Sequence, residues 1–197
     1  MATSLTKSST TPEELKNTEN FILNRITEMN KVYPYGRKSY DLERGEKCED
    51  IVVELLQSLG IDAGRYRQTF PKNAGHLIRA CQVDIWVRGG VSGKIYQLET
   101  KTRGSRSESI FDYNPIAVGG CQTWDEKNAA IASKPGRKVV LGMVVVCQNT
   151  GMARVTNCLP ERQMDWKRVS FDYELSYAVE HGQFIDIVAF ARYLKTI

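Results

Sequence analysis

The chain contains no C-x-x-C pair and no Cys or His spacing of the zinc-binding kind. Its five cysteines, Cys48, Cys81, Cys121, Cys147 and Cys158, are odd in number and mostly have apolar neighbours. That pattern argues against a disulfide framework and predicts reduced thiols in a cytoplasmic protein. No stretch approaches the roughly 18 apolar residues of a membrane-spanning helix, so no membrane partner is expected. The opening MATSLTKSSTT lacks the apolar core of a secretory signal. A G-x-x-x-x-G-K-[ST] loop is also missing, which excludes the familiar ATP-driven motors and predicts no nucleotide cofactor. Of the two histidines, His76 falls in a loop and His181 in a turn, with no partner for a histidine-based mechanism. No internal repeat and no linker suggest a second domain.

What remains is the composition of an ordinary globular protein, 42% hydrophobic and 25% charged over 197 residues, enough for one domain with a sizeable core. Residues 1–11, rich in Ser and Thr, are expected to be a disordered tail, and 12–197 a single domain. The net charge of +4 is unevenly placed. Residues 61–110 carry 9 Lys and Arg against 4 Asp and Glu, whereas residues 1–60 carry 8 against 10. A basic segment of this kind suits a polyanion such as nucleic acid, although a solvated surface would look the same by charge alone.

Thr11-Pro12-Glu13-Glu14 reads as an N-cap, a first-turn proline and a capping-box acid, opening a helix to about Lys31 with Leu15, Ile22, Ile26 and Met29 on its apolar side. YPYGRKSYDLERG reads as a loop. In a second helix, roughly 46–59, Cys48, Ile51, Val52, Leu55, Leu56 and Leu59 form an amphipathic stripe that stops at Gly60. A strand is expected near 65–70, then two strands within CQVDIWVRGGVSGKIYQLETKTRG. Residues 103–120 read as a long loop, followed by a helix from Cys121 to Ala132. RKVVLGMVVVCQ is a near-continuous apolar run, predicting a strand buried on both faces, with GMARVTNCL a candidate to pair with it. In QFIDIVAFARYLK, Phe184, Ile187, Val188, Ala191 and Leu194 share one helical face. The order predicts an α/β fold with one central mixed sheet flanked by helices.

Glu99 and Lys101 lie two apart on a predicted strand, so both point to one face. Asp84 sits mid-strand in an apolar stretch fifteen residues earlier. A carboxylate inside a sheet is costly unless compensated, and a divalent cation compensates it. Two carboxylates facing one point hold Mg²⁺ while leaving positions for water and a phosphate, and Lys101 can orient a water or meet a phosphate. The short pattern itself is weak. Glu14-Leu15-Lys16, Asp125-Glu126-Lys127 and Asp165-Trp166-Lys167 match it loosely, but the first two fall on predicted helices and the third follows no acid-bearing strand. A surface hairpin with an incidental pair is the bland alternative. Glu49 lies at the edge of the second helix's stripe, beside Leu56, and is the candidate third acid; otherwise it is a flanking charge.

With these residues in view the chain resembles the PD-(D/E)XK nuclease superfamily, which includes many restriction enzymes and the archaeal Holliday-junction resolvases. The matching segments are GEKCEDIVVELLQSLGI, QVDIWV and YQLETK; Gly45, Glu49, Leu55, Leu56 and Gly60 keep the helix pattern of the resolvases. The resemblance covers roughly residues 44–103, extends loosely to 147, and departs where Val83 replaces the family's proline. It implies a restriction-endonuclease-like core, Asp84 and Glu99 as Mg²⁺ ligands with Mn²⁺ a possible substitute, Lys101 as the catalytic lysine and Glu49 as an accessory acid and ligand. Arg79, Arg103 and Arg106 are the expected phosphate contacts. Gln97 and Gln122 are candidates to line the site, and Trp86, Tyr113 and Trp124 to stack on bases, though ordinary polar and core roles fit them as well. The function expected is a Mg²⁺-dependent DNA endonuclease, restriction-type and a homodimer. A junction resolvase or other structure-selective nuclease is the nearest alternative, and a non-catalytic nucleic-acid-binding or interaction module on the same fold is the alternative of another class.

Overall fold

A computed structural model describes residues 10–34, 40–66, 84–103, 116–120, 141–156, 167–171 and 174–197. The first helix, α1 (Pro12–Val32), starts where its cap residues dictate: Thr11 Oγ1 accepts from the Glu14 amide and Glu14 Oε2 accepts from the Thr11 amide at 2.8 Å. Thr18, Ile22, Ile26 and Met29 are its buried face. The Glu14 carboxylate also meets Arg192. The Thr11 backbone bond, then the Arg192 bond, hold the Glu14 carboxyl below its ordinary value of 4.5. A depressed acid contributes stability above its unfolded value and loses it as pH falls through the folded one. Acid melts should therefore show a loss beginning below about pH 4.5 that Glu14→Gln removes, with thermal scans across pH as the check.

The second helix, α2, spans Asp41–Ser58 and so begins five residues before the expected start. Arg44 is the reason: it is buried, with Nη1 donating to Asn30 Oδ1 and the Tyr33 carbonyl and Nη2 to Gln148 Oε1 at 2.8 Å. These long-range bonds hold a turn that local sequence marks as polar loop. Its far end closes as a Schellman motif, with Ile61 N bonding Leu56 O, Gly60 N bonding Gln57 O, and Gly60 at φ 77°.

The strands are β1 (Ala63–Arg65), β2 (Ile85–Arg88), β3 (Ile95–Arg103), β4 (Ile116–Gly120), β5 (Leu141–Cys147), β6 (Ala153–Thr156), β7 (Lys167–Phe171), β8 (Glu174–Val179) and β9 (Phe184–Asp186), followed by α3 (Ile187–Thr196). Six form a mixed sheet in the order β1-β2-β3-β5-β6-β9. Only the central β3–β5 pairing is parallel within it, with Glu99 against Met143 and Lys101 against Val145. Strands β4, β8 and β7 form a second, three-stranded antiparallel sheet. The segment expected as a long loop therefore ends in strand β4, and the helix expected at 121–132 lies outside the described residues.

Helices α1, α2 and α3 share one apolar cluster with one face of the six-stranded sheet, through Ile85, Val87, Leu98, Val144, Val146 and Val155. Alternate residues of β5 point the other way, and Met143, Val145 and Cys147 are buried there too. The apolar run of β5 is thus covered on both faces, as its composition predicts. At the β5–β6 turn, Gly151 (φ 70°) lies directly against α1. Phe184, expected on the last helix, belongs instead to β9, because Asp186 caps α3 by accepting from the Ala189 amide at 2.8 Å. Thr10 Oγ1 donates to the same carboxylate. The β2–β3 tip is fastened to the end of α3, where the Val91 and Ser92 amides both donate to the Ile197 carbonyl. Among the described residues no helix is long and apolar enough to cross a membrane.

Candidate active site

Strand β3 lies inside the sheet, between β2 and β5, and carries the acid and base two residues apart. Their side chains do share a face: Lys101 Nζ donates to Glu99 Oε1 at 3.2 Å. The Glu99 side chain is only 10% exposed and that of Lys101 31%, so the carboxylate is buried and the ammonium reaches toward solvent. The pairing with Met143 and Val145 puts both on the sheet face away from the three helices.

Asp84 is not mid-strand. Strand β2 begins at Ile85, and Asp84 is the residue before it. It nevertheless adjoins β3, since Ile85 opposes Leu98 and the Asp84 carboxylate reaches the Thr100 amide. Its carboxylate acts where another strand residue would have: Oδ2 accepts the Thr100 amide at 2.7 Å, while the Asp84 carbonyl accepts the Tyr66 amide at 3.0 Å. A charge-assisted bond of this kind contributes about 1.5–3 kcal/mol. It ties the carboxylate to the backbone between Glu99 and Lys101. The Thr100 side chain, on the opposite face, is buried, and Oγ1 has no hydrogen-bond partner among the described residues.

Glu49 meets a cation on the helix side of the sheet, the face opposite Glu99 and Lys101. Arg65 Nη2, at the end of β1, is 2.8 Å from Glu49 Oε2 and 3.9 Å from Glu46, and Nη1 is 3.4 Å from Asp50. Sequence reading did not single out Arg65. The available signal was Glu46, Glu49 and Asp50 at i, i+3 and i+4, three like charges on one side of a helix that call for a neutralising partner.

Among the described residues, no group of three or more His, Cys, Asp or Glu side chains is placed to hold a metal ion. The donor chemistry at Asp84 and Glu99 suits a hard cation such as Mg²⁺, which uses one or two carboxylates and keeps its remaining positions for water and phosphate. Gln97, opposite Trp86, is half-buried on the same face. Trp86 is 8% exposed with the Arg88 guanidinium 5.9 Å from its ring, so it packs within the fold and does not offer an open stacking surface. Arg103 ends β3 opposite Cys147. Arg79, Arg106, His76, Tyr113, Gln122 and Trp124 lie outside the described residues. Cys48 and Cys147 are buried, and burial pushes the Cys48 thiol up, partly offset by its bond to Thr102.

Fold and site together define an α/β protein whose mixed six-stranded sheet, flanked by helices, carries an acid–acid–lysine group at the start of β2 and on β3. No protein-family model matches the chain, and no curated protein matches it.

Proposed function

We propose that the chain is a Mg²⁺-dependent DNA endonuclease with a restriction-endonuclease-like core, restriction-type and acting as a two-fold homodimer. The observation that carries the reading is the set Asp84, Glu99 and Lys101: Asp84 bonds the Thr100 amide, between the other two, and Lys101 bonds Glu99. The antiparallel run β1-β2-β3 after α2, with β5 parallel to β3, supports the fold assignment. Asp84 and Glu99 would hold the ion, which when bound supplies Lewis-acid activation of water and of a phosphoryl oxygen. Lys101, partly exposed beside Glu99, would donate to a phosphate oxygen or to the oxygen of the attacking water. Arg103, at the end of the same strand, is the candidate phosphate contact, and Glu49 the accessory acid that the resemblance implies. A dimer matches the symmetry of a duplex cut on both strands.

Wild type and Asp84→Asn are to be incubated with bacteriophage DNA and with a synthetic four-way junction, in Mg²⁺ and in EDTA. Asparagine keeps an oxygen for the Thr100 amide and removes one anionic ligand. Discrete bands from linear DNA, absent in EDTA and in Asp84→Asn, are the expected result. Cutting of the junction alone moves the assignment to a resolvase. No cutting of either substrate in Mg²⁺ or Mn²⁺ replaces it with a binding module.

A further inference from the structure

The sheet face that carries Glu99 and Lys101 changes character within one step along its strands. Glu99 opposes Met143, the Met143 amide donates to Thr156 Oγ1 at 3.0 Å, and Thr156 opposes Phe184. All four residues of that row are buried. In the next row Lys101 opposes Val145, Val145 opposes Arg154, and Arg154 opposes Asp186. Val145 is 1% exposed, whereas Lys101, Arg154 and Asp186 are half-buried. Ala153 and Val155 belong to the apolar cluster under the helices, so alternation along β6 sets Arg154 on the face of Lys101. That is the pattern of long basic side chains whose stems cover apolar surface while their heads reach water. Asp186 does not serve as the counter-charge of this row, because its carboxylate accepts from the Ala189 amide and the Thr10 hydroxyl.

We infer that Arg154 and Lys101, on either side of Val145, form one phosphate-binding row, in which Arg154 holds a backbone phosphate of DNA beside the one that Lys101 meets. The inference rests on the nuclease reading above for the role of Lys101 and adds a binding residue from a different strand. Two inter-strand steps put the Lys101 and Arg154 backbones roughly 10 Å apart, so both long side chains can engage one stretch of sugar–phosphate chain. Lysine supplies a compact charge, and the arginine fork meets two oxygens of one phosphate. Glu99 already answers Lys101, which leaves Arg154 to carry the attraction for the polyanion. Its contribution is therefore to binding, and its loss should raise KM with kcat held.

The test is the salt dependence of binding to a fluorescent linear duplex and to a four-way junction, by anisotropy in EDTA so that nothing is cut. Arg154→Gln should reduce the slope of log affinity against log salt by about 0.9, the loss of one phosphate contact. Arg154→Lys, which keeps the charge, should keep the slope, and circular dichroism establishes that both variants are folded. If Arg154→Gln does not fold, phenylglyoxal labelling of wild type read by mass spectrometry replaces it. DNA should then protect Arg154 and leave Arg25, 52% exposed on α1, reactive. A wild-type slope in folded Arg154→Gln, or an Arg154 that DNA leaves unprotected, overturns the inference; cleavage by wild type in Mg²⁺ would leave the nuclease reading intact. Failure of wild type to bind either DNA overturns it as well. A reduced slope in Arg154→Gln without cleavage by wild type upholds the phosphate row and removes the nuclease reading.

Discussion

Lys101→Met should lower the rate of Mg²⁺-dependent DNA cleavage by about 10²–10⁴-fold, the usual contribution of one positioned proton-handling or charge-stabilising side chain. The same change has a structural cost, because Lys101 is the hydrogen-bonded cation of a Glu99 side chain that is 10% exposed. Removing the partner of a nearly buried carboxylate costs about 1–3 kcal/mol, or roughly 2–4 °C of melting temperature per kcal/mol for a domain of this size. The two roles separate in a cycle. Glu99→Gln/Lys101→Met should recover the melting temperature, since glutamine needs no counter-charge, and should remain without cleavage. A Lys101→Met protein that melts lower yet cuts at the wild-type rate would show the lysine to be only the counter-ion of Glu99. The nuclease assignment would then lose its central residue.

Gly151→Ala should be among the most destabilising single-methyl additions in the fold. At φ 70° an L-residue is strained by about 1–2 kcal/mol. The added Cβ would also stand 2.2 Å from the Glu19 carbonyl oxygen and 2.8 Å from Leu23 Cγ, both on α1. A carbonyl inside a helix cannot swing aside, so α1 must move off the β5–β6 turn, an overpacking cost of about 1–3 kcal/mol more. Denaturant unfolding should therefore show a total loss of about 2–5 kcal/mol. Gly60→Ala is the control. It has a similar φ of 77°, but its Cβ would approach only the flexible end of Lys195, at 3.2 Å. Its loss should stay near about 1 kcal/mol, and equal losses at the two sites would show that crowding against α1 plays no part.

The elements that could be read in advance are those whose signal is local and periodic. The α1 cap needs only residues 11–14, and the α2 stripe and the β5 apolar run announce themselves within a dozen residues. The early start of α2 could not be read, because Arg44 is held by Asn30, Tyr33 and Gln148. Residues 184–186 differ from the expectation for the opposite reason. A three-residue strand running into a helix leaves Phe184 in apparent helical phase with Ile187, Val188, Ala191 and Leu194, and only the Asp186 cap marks the boundary. At the site, alternation along one strand was enough to set Glu99 beside Lys101. The Asp84 carboxylate was legible as a partner but not as a bond to the Thr100 amide, since that depends on where β2 begins. Glu49's partner, Arg65, lies on a different element, and no spacing within α2 names it.

The parallel pairing of β3 with β5 also bears on the order in which the molecule assembles. The contacts that define the acid–lysine group are close in sequence, sixteen residues for Asp84 and Thr100 and two for Lys101 and Glu99. The strand that backs them is not: Glu99 meets Met143 only after the intervening chain is looped out. Closing so long a segment is entropically slow compared with forming the β2–β3 hairpin. A nascent chain therefore holds its acids and lysine in one hairpin well before β5 exists to bury them. Refolding followed by hydrogen exchange should find the Thr100 amide protected early and the β5 amides late, with activity returning on the slower of the two clocks.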